Sequence, residues 1–270
     1  MKQSLWHQLQ SLMGTLFPPS YRWPATDIRL GDRLFHLAGS IHMGTRDMQP
    51  LPAGLLRQLH RADALIVEAD ITQGSSPFSE SERQPPLSTR LESEALARLD
   101  ALCETLSLSR ALFDTLPFWQ IALMLQAHQA QRLGLRPQYG IDYQLLMAAK
   151  AADKTIVELE GPDTQIALLK SLPQDGLPLL LDTLEHWHTN ARLLQTMIGW
   201  WLDSPPKQQP VALPSTFSGE LNDRLMRQRN LLWRDRLAAM PKGRYVVAVG
   251  ALHLYGEDDL PTLLKSLRHA

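Results

Sequence analysis

Apolar residues near the start of the chain recur first with the spacing of strands and then with that of a helix. TDIRL and RLFHLAGSI, separated by Gly31-Asp32, have the pattern of a β-hairpin with a two-residue turn. The segment LPAGLLRQLHRAD has helical spacing, and ALIVEAD after it is a short apolar strand. Because 41–64 is long enough for a helical crossover, we expect this strand to pair in parallel with the second strand of the hairpin.

Helical periodicity dominates the rest of the chain. Five segments have the spacing of amphipathic helices: 91–107, 117–133, 139–152, 177–202 and about 218–239. KTIVELEG and RYVVAVGAL are further strands, and Pro162 opens another helix. The predicted fold class is therefore α/β, a mixed sheet with mostly parallel crossovers, wrapped and capped by many helices. We expect one domain over 21–270, with 90–240 as a largely helical cap.

Residues 1–20 are predicted to form a separate amphipathic helix. Its apolar side chains lie on one helical face: Leu5, Leu9, Leu12, Met13, Leu16 and Phe17. Polar residues interrupt this segment, and FPPSYRWPA is a poor cleavage site, so we find no convincing signal peptide and expect a cytoplasmic location. The helix either packs on the domain or makes a peripheral membrane contact through residues 1–17.

Charge and cysteine content narrow the classes of partner. The net charge of -1 over 270 residues does not favour a nucleic-acid partner, since such proteins usually have a basic excess. A single cysteine, Cys103, excludes an intrachain disulfide framework and fits a reducing compartment. Neither feature indicates an oligomeric state.

Two similar motifs lie about two hundred residues apart and suggest a site built from both ends of the chain. LAGSIHMG and VAVGALHLYG each read as an apolar strand followed by Gly-x-x-His. Four predicted strands then end at a polar residue: His42, Glu68, Glu160 and His253. In sheets with helical crossovers, ligands bind outside the carboxyl ends of the strands. If the strands are parallel, these four side chains gather at one edge.

Two chemistries suit these residue types. Two imidazoles and one or two carboxylates can hold a catalytic divalent cation, so His42, His253, Glu68 and, less strongly, Glu160 are candidate metal ligands and catalytic residues. Without a metal, a carboxylate can orient a histidine that acts as general base on water. In either case Gly39 and Gly250 would let the backbone bend or let a substrate approach closely. The spacing matches no established metal signature, so it predicts a site without specifying a reaction.

These motifs resemble those of the TraB/GumN family, which is related to the TIKI proteases. The resemblance covers about 23–268 and includes GSIHMG, ADALIVEAD, YGIDYQLLMAAKAADKTIVELEG, RQRNLLWRDRL and VVAVGALHLYGEDDLPTLL. It implies a fold like that of TIKI proteases and erythromycin esterases, with both Gly-x-x-His motifs and the glutamate converging. It also implies manganese or cobalt as cofactor, to which the ligand types add zinc.

The resemblance adds a second set of residues: Asp142, Glu160, Arg229 and Asn230 as substrate-binding or supporting candidates. Of these, Arg229 could clamp a carboxylate or stabilise an oxyanion, or pair with Glu160. The function predicted first is a metal-dependent hydrolase of the peptidase type, acting on a peptide or small molecule. The alternatives are a metal-free His/Glu hydrolase of the esterase type and a non-catalytic protein that binds or sequesters a peptide.

Overall fold

The computed structural model describes residues 21–73, 83–206, 211–214, 217–256 and 258–267. The helix predicted at 1–20 lies outside the described residues. The described part contains one five-stranded sheet, whose strands are β1 (Ala25–Leu30), β2 (Arg33–Ser40), β3 (Ala64–Val67), β4 (Thr155–Glu158) and β5 (Gly243–Gly250). The spatial order is β1-β2-β5-β3-β4, and only β1 is antiparallel to its neighbour. The predicted α/β class and mixed sheet are confirmed.

The hairpin at the sheet edge forms as predicted. β1 and β2 pair in antiparallel register up to Leu30 opposite Arg33, which leaves two residues for the turn. Gly31 has a φ of 58°, in the left-handed region that glycine adopts without a steric cost.

The predicted direct pairing of β2 with β3 is wrong, because β5 lies between them. Both strands are parallel to β5. The five residues from Tyr245 to Val249 are all buried, and a continuous apolar strand of this kind suits the centre of a sheet covered on both faces. The carboxyl ends of β2, β5, β3 and β4 nevertheless point to the same edge, as the site prediction requires.

Helices cover both faces of the sheet. Those in the described part are α1 (Ala53–Arg61), α2 (Ser93–Leu106), α3 (Phe118–Arg132), α4 (Ile141–Ala151), α5 (Pro162–Lys170), α6 (Pro173–Glu185), α7 (Trp187–Leu202), α8 (Gly219–Asn222), α9 (Gln228–Ala238), α10 (Leu252–Tyr255) and α11 (Leu260–Ser266). A π-helical segment, Asp223–Arg227, joins α8 to α9. None of the described helices combines the length and the apolar character needed to cross a membrane.

The prediction of a single long helix over 177–202 is wrong. The chain forms α6 and α7 instead, and they separate at His186, where φ is -95° and ψ is 18°. No glycine or proline marks this break, and the apolar stripe continues across it, so periodicity alone could not detect it.

Three apolar clusters form the core of the described part. The first packs α1, α4 and α7 on one sheet face, and the second packs α9 and α11 on the other. The third joins α2, α3 and α6 away from the sheet. The segment 90–240 is therefore largely helical, but β4 and α4 within it belong to the sheet and its covering layer.

Candidate functional site

The predicted site residues do lie beyond the carboxyl ends of the parallel strands, but all four strands stop earlier than expected, β3 at Val67 and β4 at Glu158. β2 ends at Ser40, two residues before His42, and β5 ends at Gly250. His253 lies on the short helix α10 rather than at a strand end. The turn into α10 places this histidine inside the molecule, where it is 4% exposed.

Glu68 is the centre of the site. Its Oε1 accepts a hydrogen bond from the Gly250 amide at 2.6 Å, and its Oε2 accepts from Arg229 Nη2 at 2.6 Å and from Gln165 Nε2 at 3.2 Å. Burial opposes ionisation of this carboxyl, but the charge of Arg229, followed by the two site histidines, outweighs it and lowers its pKa to about 2. A Cβ at Gly250 would lie 3.4 Å from Glu68 Oε1. This is an ordinary contact distance, so the approach of the carboxylate to the Gly250 amide does not require glycine.

Arg229 uses all of its N–H groups inside the protein. Nε and Nη2 donate to the two carboxylate oxygens of Glu160 at 2.8 and 2.9 Å. Nη1 donates to the Leu225 carbonyl at 3.2 Å and lies 3.3 Å from His253 Nε2, and Nη2 also bonds Glu68. The guanidinium also stacks over Trp233, whose Nε1 donates to Glu160. In this arrangement Arg229 and Glu160 form a buried ion pair, and the substrate-binding role predicted for them stays a prediction.

His253 is held neutral by its surroundings. Its Nε2 accepts from Arg229, so the ring proton lies on Nδ1, which donates to Asn230 Oδ1 at 2.7 Å. Asn230 in turn donates to the Asp258 carbonyl at 3.0 Å. Burial lowers the pKa of His253 to about 3. Both ring nitrogens have partners, and Asn230 orients this histidine; the substrate-binding role predicted for Asn230 stays a prediction.

His42 is the opposite case. Its side chain is 63% exposed, while its Nδ1 lies 2.5 Å from Oδ2 of Asp142, a carboxylate that is 8% exposed. The Asp142 charge is the main reason that the pKa of His42 is raised to about 9. No side chain or backbone group in the described segments bonds Nε2, which is therefore available to water or a substrate.

The pairing of His42 with Asp142 depends on contact between β2 and α4. The Ile141 amide donates to the Ile41 carbonyl at 2.9 Å. A Cβ at Gly140 would lie 2.2 Å from the His42 carbonyl oxygen, so only glycine permits this approach. Asp142, in the first turn of α4, is thereby placed beside His42.

A small open pocket lies between these groups. Its lining is His42, Val67, Glu68, Ala69, Ile71, Asp142, Gln165 and Ala248. Sequence reasoning missed Gln165 because only its place one turn into α5, after the Gly161-Pro162 helix start, distinguishes it. The exposed Ile71 gives one wall an apolar character.

The donor set does not fit a resident metal ion. Among the described residues, no three His, Cys, Asp or Glu side chains are grouped to hold one. Both oxygens of Glu68 accept hydrogen bonds, and Arg229 occupies His253 Nε2. The predicted manganese, cobalt or zinc cofactor stays a prediction.

Comparison with known protein families identifies the family of this chain. The model of the TraB/PrgY/gumN family matches residues 23–267. The chain belongs to this family. It is 56% identical over 262 residues to "Uncharacterized protein YbaP" of Escherichia coli (strain K12). The aligned region covers 97% of this chain and 99% of the relative. The protein of the same name from Shigella flexneri matches to the same extent. No solved structure matches the chain.

Proposed function

We propose that this member of the TraB/PrgY/gumN family is a hydrolase that attacks the carbonyl group of a peptide or small molecule without a resident metal ion. The observation that carries the proposal is the pair formed by His42 and Asp142. The buried Asp142 carboxylate lies 2.5 Å from Nδ1 as an ion pair, and Nε2 stays free of described partners on an exposed ring. This is the arrangement in which a histidine acts as general base.

In the proposed hydrolysis, one proton moves from water to His42 and then to the leaving group. In its neutral form, which predominates only above its pKa of about 9, His42 accepts a proton from water at Nε2, and the water oxygen bonds the carbonyl carbon. Asp142 stabilises the imidazolium that results. The tetrahedral intermediate then breaks the bond to the leaving group, which takes the proton back from Nε2. Gln165 lines the pocket and uses one amide N–H on Glu68, so its second N–H can donate to the oxyanion.

Glu68 supports this chemistry through its charge. It is ionised, lines the same pocket, and contributes to the raised pKa of His42. Arg229 supplies the fixed positive charge beside Glu68 that the metal hypothesis assigned to an ion. A metal-dependent hydrolase would need both Arg229 and His253 to leave their present partners, which is why we favour the metal-free reaction.

The test is a screen of ester and peptide libraries with protein that has been exhaustively chelated and dialysed. We expect turnover to survive chelation and to fall by about 100-fold or more in His42→Gln, since a general base contributes on the order of 10²–10⁴ in rate. The matched control is His188→Gln, which changes an exposed histidine on α7 and should leave turnover unchanged.

Three results would contradict the proposal in different ways. Turnover that appears only after manganese, cobalt or zinc is added would favour the metal-dependent hydrolase. Saturable peptide binding without any product would favour a sequestering protein. Equal turnover in His42→Gln and wild type would remove His42 from the reaction.

A further inference from the structure

A second pocket lies at the opposite, amino-terminal edge of the sheet. It has a volume of about 200 Å³ and is enclosed by β1, the first halves of β2 and β5, and the carboxyl end of α1. Its lining is Asp27, Leu34, His36, Gln58, Arg61, Ala62, Arg244, Tyr245 and Val246. It shares no residue with the His42 pocket.

Two arginines reach this pocket without internal partners. Within the described ranges, the guanidinium groups of Arg61 and Arg244 make no hydrogen bond and have no carboxylate within 4.0 Å. The Gln58 side-chain amide, in the same lining, also has no partner among the described residues. Arg61 ends α1 and Arg244 lies near the start of β5, so the fold brings these donors together from distant parts of the chain.

The negative groups nearby are already engaged. Asp27 accepts hydrogen bonds on both oxygens, from the Tyr21 hydroxyl at 2.6 Å and from His36 Nδ1 at 2.8 Å. His36 is 4% exposed, and its Nε2 accepts from Trp23, so this network forms a fixed wall. Asp63, beside Arg244 in space, accepts from the Arg244 backbone amide at 2.8 Å.

The carboxyl end of α1 would by itself repel an anion, because helix carbonyls carry partial negative charge there. Lys154 offsets this effect. Its ammonium donates to the carbonyls of His60 and Ala62, both at 2.8 Å. Three cationic side chains therefore line or adjoin the pocket, which is one more than the two carboxylates nearby, Asp27 and Asp63.

We propose that this pocket binds a small oxyanion, namely free phosphate or a small phosphate monoester. Arginine guanidinium groups match the geometry of phosphate oxygens and form paired charge-assisted hydrogen bonds with them. The volume of about 200 Å³ is below the ~300–1,000 Å³ typical of drug-sized ligands. The occupant is therefore a small ion or molecule, and the site is separate from the proposed hydrolysis.

The test is titration of the full chain with inorganic phosphate, and separately with free phosphoserine, by calorimetry at constant ionic strength. We expect saturable binding with a dissociation constant on the order of a millimolar or lower. Arg61→Gln and Arg244→Gln should each weaken it by about tenfold or more, because each removes charge-assisted hydrogen bonds. The matched control is Arg57→Gln, an exposed arginine one turn earlier on α1 that does not line the pocket.

Unchanged affinity in both pocket variants would overturn the proposal, and so would the absence of saturation with either probe. Equal weakening in Arg57→Gln would also overturn it, since it would indicate general attraction to a basic surface. Arg61 and Arg244 are exposed, so we expect both variants to unfold at the wild-type temperature. The readout is binding, so failure here and failure of the hydrolase proposal are independent.

Discussion

At the scale of single residues, the two Gly-x-x-His motifs place their histidines in opposite states. His42 is exposed beside the Asp142 carboxylate, which raises its pKa, whereas burial lowers the pKa of His253. Similar sequence surroundings therefore do not imply similar chemistry. The charge and exposure that decide protonation come from residues that are remote in the chain.

Replacing Asp142 tests this difference directly. In a ¹H–¹³C NMR titration we expect His42 to change protonation near pH 9 and His253 to stay neutral at every pH from 5 upward. In Asp142→Asn the pKa of His42 should fall toward 6.5, its ordinary value, because the main cause of the increase is removed.

If His42 is a general base, hydrolysis follows its neutral form. The rate should therefore rise with pH through the raised pKa, and in Asp142→Asn the rise should move to lower pH while the maximal rate falls. Asp47→Asn, which changes an acidic residue outside the pocket lining, serves as control. An unchanged His42 titration in Asp142→Asn would disprove the pairing.

At the scale of elements, the site depends on how closely the end of β2 approaches the start of α4. The Ile141 backbone amide donates a hydrogen bond to the Ile41 carbonyl, and there is no room for a side chain at Gly140 against the His42 carbonyl. The position of α4 thus determines where both His42 and Asp142 lie.

Gly140→Ala should therefore disturb the site more than a surface change would. The added methyl would meet a backbone oxygen at 2.2 Å, so we expect destabilisation of about 1–3 kcal/mol and a fall in the His42 pKa as the pair separates. Urea unfolding and the NMR titration measure the two effects. In Gly219→Ala, where no other described residue beyond its chain neighbours comes within 4 Å of the new methyl, both should stay close to wild type. A Gly140→Ala variant with wild-type stability would contradict this packing.

At the scale of the whole molecule, Glu68 joins segments from across the chain. It bonds Gln165 of α5, Arg229 of α9 and the last residue of β5, Gly250. The folded state alone assembles these donors, and they hold the pKa of Glu68 below its value in the unfolded chain.

Global stability should consequently depend on the protonation of Glu68. Its contribution is complete above pH 4.5, its unfolded value, and is lost as the pH falls toward about 2. The size is about 3 kcal/mol from a shift of this magnitude. Unfolding free energies of wild type and Glu68→Gln, measured by urea between pH 7 and pH 3, should differ most at pH 7 and converge in acid. A constant difference would contradict the linkage.

The sequence by itself determined the local elements and the edge of the sheet at which the site lies. The hairpin around Gly31, the short strand before Glu68 and the helix opened by Pro162 follow from periodicity and turn residues, which act over a few positions. Because strand direction follows from helical crossovers, the common location of His42, Glu68, Glu160 and His253 could also be predicted.

Only the tertiary structure decided which of these residues bond one another. β5 lies between β2 and β3, Arg229 forms ion pairs with both Glu68 and Glu160, and Asp142 rather than Glu68 pairs with His42. These ion pairs join residues 69 to 161 positions apart, and no local pattern encodes which partner a charge will meet. The pKa values of the two histidines were decided in the same way: the pKa of exposed His42 is raised and that of buried His253 is lowered. Both shifts depend on burial and on the nearest charge, which are set only when the chain folds.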